Sequence, residues 1–136
     1  MNQTQIALDS CVVIDVIEKP KVASKLKASL RGKSVKIILC DTVLSEVYRV
    51  RGYTTQHIIA KISKILGREI VLSKMEEENK AIALSEQFAI CHNGDNKILS
   101  LCQAKDFVLV TFDRMLLKTC QFVGVAAFHP FIVRGI

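Results

Sequence analysis

Short apolar runs alternate with longer amphipathic segments along this 136-residue chain. Each run has the length of a β-strand, and most of the intervening segments repeat apolar residues at three- and four-residue spacing, as helices do. Such an alternation predicts a parallel sheet covered by helices. The predicted strands are Gln5–Leu8, Val35–Leu39, Glu69–Leu72, Phe107–Phe112 and Phe122–Phe128. The predicted helices are Ser10–Glu18, Val22–Leu30, Val43–Arg51, Gln56–Leu66, Lys74–Ala89 and Asn96–Ala104.

The length and composition limit the class of protein. A chain of this size fits one domain, so residues 1–136 are expected to form a single unit. Half of the residues are hydrophobic, but no apolar run approaches the roughly 20 residues that cross a bilayer. The first residues, MNQTQ, lack the basic patch and apolar stretch of a secretory signal. We therefore expect a cytoplasmic protein without a membrane segment.

The five cysteines show neither a paired spacing nor an even number. A zinc site would need clustered Cys and His ligands, and no such cluster occurs in the sequence. Cys11, Cys40 and Cys102 stand among apolar residues, where cysteine behaves as a small hydrophobic side chain. We expect free, buried thiols.

Positive charge is concentrated in the first half of the chain. The net charge is +6, and residues 1–68 carry 12 Lys and Arg against 5 Asp and Glu, whereas residues 69–136 carry 7 against 8. Seven bases and no acid occur from Lys19 to Lys36. This pattern fits a polyanionic partner, and it fits a solvated basic surface equally well.

Two acids follow predicted strands directly. Asp9 ends the first strand and Asp113 follows Phe107–Phe112, with Thr111 two residues earlier on the same strand face. The carboxyl ends of parallel strands border the crevice in which α/β proteins bind ligands. Either acid could instead cap the next helix.

Two further acids lie on predicted helices. Asp95 precedes Ile98, Leu99 and Cys102 at helical spacing, so it heads an apolar face and points inward. A buried carboxylate needs a cation or hydrogen-bond donors, and an N-cap role would also supply donors. Glu46 lies in the helix after the second strand, where a surface glutamate would look the same.

The four acids together indicate a metal site. Converging carboxylates repel one another unless a cation neutralises them, and Mg²⁺ or Mn²⁺ prefers oxygen ligands. An ion held in this way polarises a phosphoryl oxygen and lowers the pKa of a bound water. The chemistry that this arrangement favours is phosphodiester hydrolysis.

Four short motifs carry these acids in a recognisable order. They are I-A-L-D-S-C-V-V-I-D at Ile6–Asp15, S-E at Ser45-Glu46, D-N-K-I-L at Asp95–Leu99 and V-T-F-D-R at Val110–Arg114. In this order and spacing the chain resembles the PIN-domain nuclease family, and specifically small single-domain VapC-type toxins. The resemblance covers nearly the whole chain.

The resemblance implies a three-layer α/β/α sandwich with a central parallel sheet. It also implies an endoribonuclease for single-stranded RNA that depends on Mg²⁺ or Mn²⁺, acts as the toxin of a type II toxin–antitoxin pair, forms a homodimer and is held by an antitoxin. Asp9, Glu46, Asp95 and Asp113 match the family's catalytic, metal-binding acids. Ser10 and Thr111 match hydroxyl residues that would orient carboxylates or ion-bound water. Candidates for binding RNA phosphates are the basic stretch together with Arg49, Arg51 and Arg114.

Other interpretations stay open at this point. Many relatives have a second acid soon after the last one, whereas Asp113 is followed by Arg114-Met115-Leu116. The number of metal ions, one or two, therefore stays open. A PIN-like domain could bind RNA or act as a scaffold without cleaving, or it could be a housekeeping RNA-processing nuclease. A phosphoacceptor receiver domain also has acids at strand ends, but Asp9 is followed by Ser10 and not by a second acid.

Overall fold

The computed structural model describes residues 3–74 and the backbone from residue 93 to 136, with side chains from residue 97 onward. The predicted helix Lys74–Ala89 lies outside the described residues apart from Lys74. In the described part, the strands are β1 (Thr4–Leu8), β2 (Val35–Cys40), β3 (Ile70–Ser73), β4 (Val108–Val110) and β5 (Ala127–Phe128). The helices are α1 (Ser10–Glu18), α2 (Pro20–Ser29), α3 (Asp41–Arg51), α4 (Thr55–Leu66), α5 (Asn93–Lys105) and α6 (Arg114–Val123).

The five strands form one sheet in the order β3-β2-β1-β4-β5, and every pairing is parallel. β1 lies at the centre, where Ile6 pairs with Ile37 on one side and with Val108 on the other. The predicted strands Val35–Leu39 and Phe107–Phe112 correspond to β2 and β4, the two neighbours of β1. The predicted parallel sheet is confirmed.

The burial of β1 shows that helices cover both faces of this sheet. Ile6, Ala7 and Leu8 are consecutive and completely buried, although successive side chains of a strand point to opposite faces. On α1, Val12, Val13 and Val16 are buried at helical spacing and join the same core. The predicted three-layer α/β/α sandwich is confirmed.

The predicted strand Phe122–Phe128 is wrong over most of its length. Residues 122 and 123 are the last two of α6, which ends at Gly124 in the left-handed conformation, φ 80°. Only Ala127 and Phe128 form a strand. The run of large apolar residues resembled a strand. In the helix, however, the buried side is formed by Leu116 and Cys120 at a four-residue spacing, and Phe122 lies outside it and is 86% exposed.

The prediction that Cys11 is buried is also wrong. Cys11 lies in the first turn of α1 and is exposed, because the buried side of that helix is formed by Val12, Val13 and Val16. Cys40 and Cys102 are buried as predicted, and Cys91 lies outside the described residues. None of the helices in the described ranges is long and apolar enough to cross a membrane.

Candidate active site

The two acids after β1 and β4 lie at the same edge of the sheet. Asp9 follows β1 directly, and its backbone N–H donates a hydrogen bond of 3.0 Å to the carbonyl oxygen of Val110, the last residue of β4. Asp113 is the N-cap of α6, three residues beyond that strand. Parallel pairing therefore brings the two acids to the carboxyl end of the sheet, where α/β proteins have their ligand-binding crevice.

Two donors hold the carboxylate of Asp9. Its Oδ2 accepts a hydrogen bond of 2.7 Å from Oγ1 of Thr111, and its Oδ1 accepts one of 2.9 Å from the backbone N–H of Ser10. Asp9 is the N-cap of α1, but an ordinary N-cap bonds to the second or third residue of its helix, and Ser10 is the first. The contact with Thr111 adds a role that capping does not require.

The pKa of Asp9 is raised above its ordinary value of 3.8. Burial is the largest cause, and the charges of Glu46 and Asp113 add to it, whereas the hydrogen bonds from Thr111 and Ser10 oppose it. The charges of Glu46 and Asp113 thus act on the carboxylate of Asp9. The ionised form of Asp9 is disfavoured unless a cation is added.

Glu46 reaches this crevice from α3. The half-buried Glu46 accepts a hydrogen bond of 3.0 Å at Oε1 from Oγ of Ser10, and Ser10 itself is 3% exposed. The adjacent residue Val47 is buried, as is Val43 one turn earlier. Glu46 is therefore turned toward the start of α1 and is not a freely solvated surface glutamate.

Asp113 combines capping with its place in the crevice. Its Oδ1 accepts hydrogen bonds from the backbone N–H groups of Met115 at 2.9 Å and Leu116 at 3.1 Å. Its own N–H donates to Oγ1 of Thr111 at 3.1 Å. The completely buried Thr111 hydroxyl thus connects Asp113 with Asp9. Capping by Asp113 is observed, and its role as a metal ligand remains a prediction.

The fourth predicted acid is Asp95, whose backbone lies in the first turn of α5. Its side chain lies outside the described residues. Ile98, Leu99 and Cys102 on the same helix are buried, in agreement with the apolar face inferred from their spacing. The role of Asp95 remains a prediction.

The donor set suits a hard divalent cation. Asp9 and Glu46 offer carboxylate oxygens supported by hydroxyl groups, and neither thiol nor imidazole contacts either carboxylate among the described hydrogen bonds. Among the side chains described, no three or more His, Cys, Asp or Glu lie close enough to form a metal-ligand group. The side chain of Asp95, the fourth predicted ligand, is not among those described.

The three predicted phosphate-binding arginines occupy different environments. Arg51 donates from Nε to Oε2 of Glu18 at 2.9 Å, and the hydroxyl of Tyr53 donates to the same oxygen at 2.7 Å. Arg49 is exposed on α3, and Arg114 is exposed at the start of α6. Arg51 already has an acidic partner, which makes it the least available of the three for phosphate.

A group of aromatic rings beside the acids was missed by the sequence reasoning. We call Phe112, His129 and Phe131 the aromatic cluster. The ring centroids are 5.2 Å apart for Phe112 and His129, 5.8 Å for Phe112 and Phe131, and 4.8 Å for His129 and Phe131. The available signals were the position of Phe112 next to Asp113 and the H-P-F sequence after the last strand.

The surroundings of His129 favour the neutral form of its ring. Its Nδ1 accepts a hydrogen bond of 3.2 Å from the backbone N–H of Phe131, which requires an unprotonated nitrogen. Burial and the positive charge of Arg114 lower the pKa of His129, with burial the larger cause. Arg114 therefore lies near the aromatic cluster as well as beside Asp113.

Solved structures with the same fold include three complexes. One is VapBC2 from Rickettsia felis bound to a DNA fragment from its promoter, with 20% sequence identity and a TM-score of 0.60; the match covers 93% of this chain and 98% of that one. Another is VapBC-1 from nontypeable Haemophilus influenzae, with 15% identity, a TM-score of 0.59 and the same coverage. The third is FitAB bound to an IR36 DNA fragment, with 17% identity and a TM-score of 0.57; the match covers 96% of this chain and 98% of that one.

At these identities the structural likeness shows the fold alone. The comparison of the sequence with curated proteins gave no match. The model of one protein family, described as the PIN domain, matches residues 6–121. That match includes all four acids and both hydroxyl residues inferred from the sequence, and it spans most of the chain. The chain belongs to the PIN domain family.

Proposed function

We propose that this protein is a Mg²⁺- or Mn²⁺-dependent endoribonuclease that cleaves single-stranded RNA and acts as the toxin of a type II toxin–antitoxin pair. The observation that carries the proposal is the carboxylate of Asp9, which accepts a hydrogen bond from Thr111 and whose pKa is raised by burial and by the charges of Glu46 and Asp113. PIN domains are generally nucleases that use divalent metals. The VapBC and FitAB complexes among the structural neighbours favour a partner-controlled member of the family.

In this proposal the chain's acids hold the metal ion and its hydroxyl residues hold the acids. Asp9, Glu46, Asp95 and Asp113 would be the ligands, directly or through water. A bound divalent ion would supply a Lewis acid for a phosphoryl oxygen and a water of lowered pKa. Thr111 favours the ionised form of Asp9, because its hydrogen bond lowers the pKa of that carboxyl. Ser10 restrains Glu46 through the bond to Oε1.

The proposed partners follow from the same charge arrangement. An antitoxin segment lying in the crevice would place a cation among the acids, and an arginine suits that position because its planar guanidinium pairs with carboxylates in bidentate fashion. Metal and antitoxin would then compete. We propose that the protein acts in the cytoplasm as a homodimer.

The direct test is incubation of the purified protein with labelled single-stranded RNA, the matching RNA duplex and single-stranded DNA. Each substrate is tested with Mg²⁺, with Mn²⁺ and with EDTA. We expect internal cleavage of single-stranded RNA only when a metal is present. If neither Mg²⁺ nor Mn²⁺ supports cleavage, the proposed nuclease activity is wrong and a non-catalytic RNA-binding or scaffold domain is favoured. Expression without growth arrest would favour a housekeeping nuclease over a toxin.

Replacing Thr111 with Val tests how Asp9 is kept ionised. The substitution removes the hydroxyl that donates to Asp9 and accepts from the N–H of Asp113 while preserving the shape of the buried side chain. We expect cleavage to fall by about 10- to 100-fold, the usual cost of losing a group that supports a metal ligand. The pKa of Asp9 should rise, since the lost bond had lowered it. The acidic limb of the pH–rate profile should therefore move to higher pH.

A matched control for this substitution is Thr119→Val in α6. The Thr119 hydroxyl donates to the carbonyl oxygen of Met115 within the same helix at 2.9 Å and has no described contact with the acids. Its pH–rate profile should coincide with that of the wild type. An unchanged acidic limb in Thr111→Val would contradict the assigned role of Thr111.

A further inference from the structure

The aromatic cluster borders the crevice on the β5 side. The backbone N–H of Thr111 donates to the carbonyl oxygen of Phe128 at 3.1 Å, and His129 follows that residue immediately. Phe112 lies between Thr111 and Asp113 in the chain. The rings therefore occupy the same edge of the sheet as the acids.

The basic helix α2 is attached to this cluster. Oγ of Ser29 donates to the carbonyl oxygen of Pro130 at 2.9 Å, and Nζ of Lys25 lies 4.6 Å from the centroid of the Phe131 ring. The sequence of α2 contains three lysines and no acid. The positively charged helix α2 thus lies against the rings of the aromatic cluster.

The ring of Phe131 is fixed in orientation and reachable from solvent. Phe112 and His129 meet it at interplanar angles of 83° and 74°, the edge-to-face packing that aromatic pairs favour. Lys25 is an exposed side chain, so the ring face that it covers is open to any group that displaces its flexible ammonium end. A cation over an aromatic ring at an exposed site is held weakly compared with a stacked base.

We propose that Phe131 is a stacking site for one base of a single-stranded nucleic acid, with Lys25 moving from the ring to a neighbouring phosphate. Proteins that bind single strands combine stacking rings with positive charge in this way. The bases of a duplex are already stacked on one another, so a duplex would not use the site. The part that this site plays in positioning RNA for cleavage rests on the proposed function, whereas base binding itself does not.

The test measures binding without metal, so that no cleavage occurs. Labelled single-stranded RNA and DNA of the same sequence are titrated in EDTA with the wild type, Phe131→Leu and Phe122→Leu. Leu keeps the apolar packing of the half-buried Phe131 but removes the aromatic face. We expect roughly tenfold weaker binding for Phe131→Leu. We expect no change for Phe122→Leu, whose ring is 86% exposed at the end of α6. Equal affinity of the wild type and Phe131→Leu would overturn the proposal.

A second variant reports the stacking directly. The chain contains no tryptophan, so Phe131→Trp introduces a single tryptophan, whose emission can be excited separately from that of the tyrosines. We expect single-stranded RNA and DNA to quench its emission, and we expect an RNA duplex and polyglutamate to leave it unchanged. Quenching by polyglutamate as strong as that by RNA would show recognition of charge alone and would overturn the proposal, as would absence of quenching by either single strand.

The outcomes separate this inference from the proposed function. If the wild type does not cleave RNA but Phe131→Leu weakens RNA binding, the proposed nuclease activity is rejected and the stacking site is retained. If the wild type cleaves RNA and Phe131→Leu binds RNA equally well, the stacking site is rejected and the nuclease activity is retained.

Discussion

Replacing Asp9 with Asn should abolish metal-dependent RNA cleavage and at the same time make the folded protein more stable. Asn has nearly the same shape and can still accept the hydrogen bond from the N–H of Ser10, but it carries no charge with which to hold a cation. Loss of one preorganised electrostatic group commonly costs about 10²- to 10³-fold in rate, and we expect at least that decrease. Single-turnover cleavage of labelled RNA measures it.

The stability gain has a predicted dependence on pH. Because the fold raises the pKa of Asp9 above 3.8, the ionised carboxylate costs stability once the pH exceeds the folded-state pKa, and the cost disappears as the pH falls toward 3.8. Denaturant unfolding should show Asp9→Asn to be more stable than the wild type at neutral pH. The difference should shrink in acid.

The matched control is Asp106→Asn. Asp106 precedes β4 and so lies at the amino end of the strands, opposite the end that carries Asp9. Asp106 is exposed and has φ 57°, a left-handed conformation that Asn also tolerates. Cleavage by this variant should equal that of the wild type. A cleaving Asp9→Asn protein would exclude Asp9 from the site, and an equal stability gain at Asp106 would show that removing any surface acid from this chain has the same effect.

Mn²⁺ should raise the unfolding temperature of the wild type even when RNA is absent. An ion that binds only the folded state at 100 times its Kd adds about 2.7 kcal/mol, which corresponds to roughly 10 °C in a domain of this size. The effect should be large because the ion would relieve the repulsion of Glu46 and Asp113 on Asp9. Thermal unfolding with Mn²⁺ and with EDTA measures it.

The same measurement on Asp9→Asn should give little or no shift, since a ligand is missing. A wild type that is insensitive to Mn²⁺ would contradict the metal site directly. An equal shift in the wild type and in Asp9→Asn would place the ion elsewhere on the protein. Neither result depends on finding the right RNA.

The central part of the fold could be predicted because β1 and its neighbours are buried on both faces. Such strands consist almost wholly of apolar residues and end abruptly at an acid, as Ile6-Ala7-Leu8-Asp9 does. The last strand could not be predicted, because large apolar residues near 122–128 fit a strand and a helix end equally well. Membership of the PIN domain family sets the receiver-domain alternative aside.

The site was predictable only in part. Asp9 and Asp113 follow strands of one parallel sheet, so their meeting at one edge is a consequence of topology. The bond between Ser10 and Glu46 joins residues 36 positions apart and depends on how α1 packs against α3, which no local pattern shows. The aromatic cluster likewise depends on the turn after β5, where the backbone N–H of Phe131 donates a hydrogen bond to Nδ1 of His129 and the two rings are in contact.

The hydrogen bond from Thr111 to Asp9 joins residues 102 positions apart. Chains are synthesised from the N-terminus, and parallel strands pair only after the intervening segments have been made. A nascent chain therefore carries Asp9 and Glu46 long before the residues that complete the crevice exist. During its own translation the chain has no assembled acid cluster, so a nascent copy of the nuclease that we propose could not cut the messenger RNA that encodes it until synthesis has passed residue 113.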